Sequence, residues 1–112
     1  MKLRSIIENL ELSVKVSKNL EIDVKSAYAS DLLSDVMGKA QSGQIWITMQ
    51  THKNVAAISS LKDIPAVIIT GNGKPDEDML ELAESENVAI LCTSLSCYEV
   101  CGKLYRLLES EI

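Results

Sequence analysis

Phenylalanine is missing from this chain, tryptophan occurs once and tyrosine three times, so a core has to be built mainly from Ile, Leu, Val, Ala and Met. Histidine occurs once, at His52, and any general-base or metal role would fall on that residue alone. The three cysteines, Cys92, Cys97 and Cys101, are one short of the four ligands that a zinc or iron–sulfur site takes from a single chain. As free thiols they suit the cytoplasm, where disulfides are rare. No apolar run approaches the ~18 residues of a membrane span. The opening Met-Lys-Leu-Arg-Ser lacks the apolar block of a signal peptide, so a cytoplasmic protein is expected. Positive charge is also scarce: 11 Lys and Arg against 16 Asp and Glu give a formal charge of -5. Nucleic acids and anionic membranes both require a positive footprint, so neither is an expected partner.

The 112 residues are enough for one domain, 1–112, with a core of its own. Leu3, Ile6, Ile7 and Leu10 recur at helical spacing. Leu12, Val14 and Val16, then Leu20, Ile22 and Val24, alternate with polar residues and predict two strands around a turn at Ser17-Lys18-Asn19. A helix with the stripe Leu32, Leu33, Val36, Met37 and Ala40 is predicted next, capped by Ser30 or Asp31 and ended by Gly43. From there strands and helices alternate: a strand from Ile45 to Gln50, a helix from about Thr51 to Lys62, a strand Ala66 to Thr70, a helix Asp76 to Asn87, a strand Val88 to Cys92 and a helix Ser96 to Leu108. Such alternation signals βαβ crossovers and a parallel sheet. The runs Ala66-Val67-Ile68-Ile69 and Val88-Ala89-Ile90-Leu91 are apolar throughout, as befits strands covered on both faces. The expected class is therefore α/β, with a mostly parallel sheet between helical layers.

In a parallel sheet the loops that follow the strands gather along one edge, where ligands of open α/β folds lie. The loops in question run from Tyr28 to Asp31, Gln50 to Asn54, Gly71 to Lys74 and Thr93 to Ser96. The candidate ligand-binding residues are accordingly Tyr28, Ser30, Asp31, Thr48, Gln50, Thr51, His52, Asn54, Gly71, Thr93 and Ser96. Together the loops offer hydroxyls, amides, an imidazole, the Lys74 ammonium and helix N-termini, which is equipment for holding a small anion or nucleotide. No paired carboxylates or acid–histidine–nucleophile set can be assembled, so no catalytic residue, metal ligand or cofactor is assigned. Gly71-Asn72-Gly73-Lys74 is not a P-loop, because Lys74 is followed by Pro75 instead of Ser or Thr. Cys97 and Cys101 share a helical stripe with Leu104 and Leu108 and read first as core. Tyr98, Val100, Leu104, Tyr105 and Leu107 widen the apolar surface of the last helix, either as core or as a face for a two-fold homodimer.

Three phrases carry a family resemblance: Tyr28-Ala29-Ser30-Asp31-Leu32-Leu33-Ser34-Asp35-Val36-Met37, Gln44-Ile45-Trp46-Ile47-Thr48-Met49-Gln50-Thr51-His52, and Ser96 to Leu108 with its Tyr98-Glu99 and Gly102-Lys103-Leu104-Tyr105. On these the chain resembles a stand-alone DRTGG-domain protein. The resemblance implies a three-layer α/β/α fold akin to the N-terminal domains of HPr kinase/phosphorylase and of a Mur ligase, without the kinase's own P-loop domain. It also implies a regulatory or dimer-forming role rather than an enzyme. The segment that names the family, Asp-Arg-x-x-Thr-Gly-Gly, stands here as Glu21-Ile22-Asp23-Val24-Lys25-Ser26-Ala27, without the arginine and both glycines. The function expected is a non-enzymatic homodimeric module that binds a small anionic ligand or nucleotide and relays its presence to an unknown protein partner. The alternatives are a dimerisation or docking domain with no ligand, and a small enzyme using Cys97 or His52.

Overall fold

A computed structural model describes residues 1–111. In chain order the elements are α1 (Leu3–Leu10), β1 (Ser13–Val16), β2 (Ala27–Ala29), α2 (Leu33–Lys39), β3 (Ile45–Thr48), α3 (Lys53–Lys62), β4 (Ala66–Ile69), α4 (Glu77–Ser85), β5 (Ala89–Cys92) and α5 (Cys97–Glu109). The sheet has the order β1-β5-β4-β3-β2. β2 to β5 are mutually parallel and β1 pairs antiparallel with β5 at one edge. The chain thus crosses to the far edge after β1 and marches back one strand at a time. Crossovers of one hand then put every connecting helix on the same face.

The core shows that arrangement directly. Val36 and Ala40 after β2, Val55 and Ala56 on α3, and Met79 and Ala83 on α4 pack against Trp46, Val67, Ile69 and Ile90. On the opposite face Leu3, Ile6 and Leu10 of α1 and Val100 and Leu104 of α5 cover Ile45, Ile47, Ile68 and Leu91. Successive residues of β3, β4 and β5 therefore serve alternate layers, and all three strands are buried along their length. That double coverage is why their sequences show no polar alternation.

Three expectations are corrected. The alternating segment Leu20 to Val24 is not a strand; only an isolated bridge joins Asp23 to Lys2. Its carbonyls are used elsewhere: Leu3 donates its N–H to Ile22 O at 3.0 Å and Arg4 to Leu20 O at 2.9 Å. These are the amides that a helix start leaves without intrahelical partners, so the segment caps α1 and the edge of the sheet falls to Ala27–Ala29 instead. Neither Ser30 nor Asp31 is the N-cap of α2, which is Leu32. The Ser30 hydroxyl accepts from Leu32 N at 3.2 Å. Asp31 turns to β3. Gly43, at φ +88°, lies beyond the end of α2 in the turn into β3.

Two buried hydroxyls, Ser59 Oγ on α3 and Thr70 Oγ1 after β4, have no hydrogen-bond partner among the described residues. A buried polar group left unpaired costs its desolvation, whereas an apolar group of the same shape does not. Ser59→Ala and Thr70→Val should each raise the free energy of unfolding by about 1 kcal/mol. Urea titration of the two variants checks this, and a loss of similar size would show that both hydroxyls are bonded in solution.

Candidate functional site

The parallel register sets the carboxyl ends of β2, β3, β4 and β5 along one rim. Backbone bonds continue the ladder past the strands, from Thr70 N to Thr48 O and from Thr93 N to Ile69 O, both 3.0 Å. The loops are then stitched to one another. Gly71 N donates to Leu95 O at 2.8 Å, Asn72 N to Thr93 O at 3.0 Å, and Asp76 N to Thr51 O at 2.9 Å. The expectation that Gln50, Gly71 and Thr93 share an edge is met by this stitching.

At the β2–β3 end, Asp31 acts as a clasp. Its Oδ1 accepts from Thr48 Oγ1 at 2.8 Å and from Met49 N at 2.7 Å. Gln50 Nε2 donates to Asp31 O at 2.9 Å, and Gln50 N donates to Thr48 Oγ1 at 3.1 Å. Trp46 Nε1 donates to Ser30 O at 2.8 Å. Ser30-Asp31 and Trp46 to Gln50 therefore form one hydrogen-bonded unit although ~15 or more residues separate them. Tyr28 OH donates to Asp35 Oδ2 at 2.7 Å. That bond holds the Asp35 carboxyl below its ordinary range, aided by Ser30, and pushes the Tyr28 phenol up. Ser96 is likewise engaged. Its Oγ accepts from Glu99 N while Glu99 Oε1 accepts from Ser96 N, closing a capping box at the start of α5.

Of the eleven candidates, the side chains of Tyr28, Ser30, Asp31, Thr48, Gln50, Thr93 and Ser96 bond within the fold. His52 is the N-cap of α3, exposed, with Nδ1 3.2 Å from Asp76 Oδ2. Asn54 does not join the rim opening: it lines a groove between α3 and α4 with Asp78 and Glu81. Thr93 lines a cavity of about 540 Å³ at the other end of the rim, where β1 meets the loops after β4 and β5. Lys15 and Ser13 of β1, Asn72, Gly73 and Lys74, and also Glu11, line its wall. Lys15 sits at the register shift between Val14 and Val16 and is close enough to lower the Cys92 thiol against the larger upward push of burial. Neither Lys15 nor Lys74 has an acidic partner at salt-bridge distance among the described residues.

Sequence reading passes over Lys15 because a lysine on an alternating strand looks like a solvated face. It counts the Lys74 ammonium among the groups on the rim but leaves Lys74 out of the candidate site, because its loop matches no phosphate motif. The loop's glycines do have a local reason. Gly71 and Asn72 adopt φ +66° and +63°, and a Cβ at Gly73 would come within 2.7 Å of Ile69 Cγ2. This loop therefore keeps its backbone tight against β4, leaving Lys74 at the cavity wall.

The cysteines behave as packing. Cys97 and Cys101 are partly buried against the α1–α5 side of the sheet, their sulfurs 3.9 Å apart. Burial, then the neighbouring Cys97 sulfur, pushes the Cys101 thiol up to about 11. No group of three metal-ligating side chains occurs among the described residues.

A five-stranded, mostly parallel sheet with three helices on one face and two on the other defines a three-layer α/β/α domain, and it is the fold of DRTGG domains. The crystal structure of the CBS and DRTGG domains of the regulatory region of Clostridium perfringens pyrophosphatase, complexed with the activator diadenosine tetraphosphate, is similar over 96% of this chain, with a TM-score of 0.73 at 17% identity. The present chain spans 45% of that one. The family model described as HPr Serine kinase N terminus matches residues 46–108. The chain belongs to that family. Comparison with characterised sequences gives no match. No described helix is long and apolar enough to cross a membrane.

Proposed function

We propose that this protein is a non-enzymatic regulatory module of the cytoplasm that self-associates, binds a small anionic ligand or nucleotide at the carboxyl ends of its parallel strands, and passes that state to a protein partner. The observation that carries the ligand reading is the cavity between β1 and the loops after β4 and β5. It brings together Lys15 and Lys74, neither of them in a salt bridge among the described residues, against a single carboxylate, Glu11, in the same wall of an otherwise acidic chain. Positive groups facing a concave polar site favour phosphate-bearing ligands. Membership of a family whose structural neighbour is a regulatory region supports a sensing role over catalysis. Thr51, His52 and the backbone of Gly71 extend the same rim toward β3 and complete the proposed surface.

Isothermal titration calorimetry with inorganic phosphate, ATP and diadenosine tetraphosphate tests it. Binding by at least one is expected. Lys15→Gln and Lys74→Gln should each weaken it by about threefold to fivefold, up to the ~1 kcal/mol typical of an exposed charged contact. A second reading, a dimerisation domain with no ligand, is favoured by the clasp itself, because Asp31, Thr48 and Gln50 already satisfy one another. Absence of heat with every probe would leave that second reading.

A further inference from the structure

The outer face of α5 combines three features that the fold of a single chain does not use. Gly102 stands exposed in the helix interior, and a Cβ there would meet nothing within 4 Å. Glycine weakens a helix, and here no neighbour among the described residues requires one. Tyr98 and Tyr105 flank it at 87% and 71% exposure. A groove of about 600 Å³ runs along the side facing α1, past Glu99, Gly102 and Arg106.

We infer that α5 docks on α5 of a second copy of this chain, antiparallel and crossing at Gly102. By the helical period, Tyr98 and Tyr105 lie on one side of Gly102, and Glu99 and Arg106 on the other. A two-fold axis perpendicular to the helix through the crossing keeps those sides apart and exchanges the helix ends. Tyr98 then faces the second copy's Tyr105, and Glu99 faces its Arg106. Each pair occurs twice, as an isologous interface requires. The charge pattern selects this arrangement: a parallel crossing would set Tyr98 against Glu99 and Tyr105 against Arg106. The capping box uses Glu99 Oε1 and leaves Oε2 for the second copy. Arg106 has no salt bridge among the described residues. Absence of a side chain at Gly102 lets the two backbones approach, so the tyrosines can stack beside them.

This rests on the self-association proposed above and adds its surface. Sedimentation velocity over a range of concentrations, on the wild-type chain and on Gly102→Gln, Tyr105→Arg and Arg106→Glu, tests it. Dimerisation is expected, weakened on the order of tenfold or more in each variant. Gly102→Gln should at the same time raise the melting temperature of the isolated fold, since glutamine is the better helix former. Gly38→Ala, on α2 and also in open space, should raise it without changing association. A dimer untouched by all three α5 substitutions would overturn this face while leaving self-association standing. A chain that stays monomeric at every concentration would overturn both, and would give the face to a partner of another kind.

Discussion

Trp46→Ala should cost about 3–5 kcal/mol of stability, a large part of the ~5–15 kcal/mol that holds a typical domain folded. Trp46 is fully buried in the middle of β3, among the helices that follow β2, β3 and β4. In a chain without phenylalanine it is the largest single filler of that layer. Truncation leaves a cavity that Val, Ala and Ile neighbours are too short to fill. It also removes the indole donor that fixes Ser30 O, so the β2 edge should loosen along with the core. Trp46→Phe, which keeps a ring but loses that donor, should cost about 1–2 kcal/mol. Far-ultraviolet circular dichroism against urea is the suitable readout, because the only tryptophan is the residue replaced. A nearly neutral Trp46→Ala would contradict the packing described for this layer.

The second large effect is expected at Asp31, whose own side chain is at the surface. Asp31→Ala removes an acceptor shared by the fully buried Thr48 hydroxyl and by Met49 N. Bonds to a charged acceptor contribute more than neutral ones, and the hydroxyl left behind is out of reach of water. A loss of about 2 kcal/mol is expected. Asp31→Asn keeps an oxygen at the same place and should recover more than half of it. Amide exchange near Met49 and Gln50 should quicken in the alanine variant. If Asp31→Ala were as stable as wild type, the rim would be held by backbone alone.

How much of this was legible in the sequence depends on the range of the contact. β4 and β5 were visible because burial on both faces leaves an unbroken apolar run, and α1 and α5 because one stripe repeats at helical spacing. Leu20 to Val24 misled because alternation reports one wet face, and a segment capping a helix has one too. The three-residue β2 carries no periodicity of its own; its pairing with β3 makes it a strand. The shared rim followed from the alternation of strands and helices, which makes the sheet parallel; of its expected members Tyr28 instead lies in β2 and Asn54 faces the groove between α3 and α4. What the side chains do there was not visible. Asp31 looked like a helix cap or ligand contact, because its tie to Thr48 and Met49 spans the crossover. The cavity of Lys15 and Lys74 depends on β1 lying antiparallel beside β5, a contact between opposite ends of the chain that no local pattern encodes.

Two-dimensional 15N–1H spectra recorded during titration with ATP and with diadenosine tetraphosphate test the central claim most directly. The predicted result is a saturable set of shifts at Lys15, Asn72 to Lys74 and Thr93 to Ser96, diminished by Lys15→Gln and Lys74→Gln. Spectra unchanged at millimolar ligand, or shifts confined to residues on the opposite edge of the sheet, would contradict it.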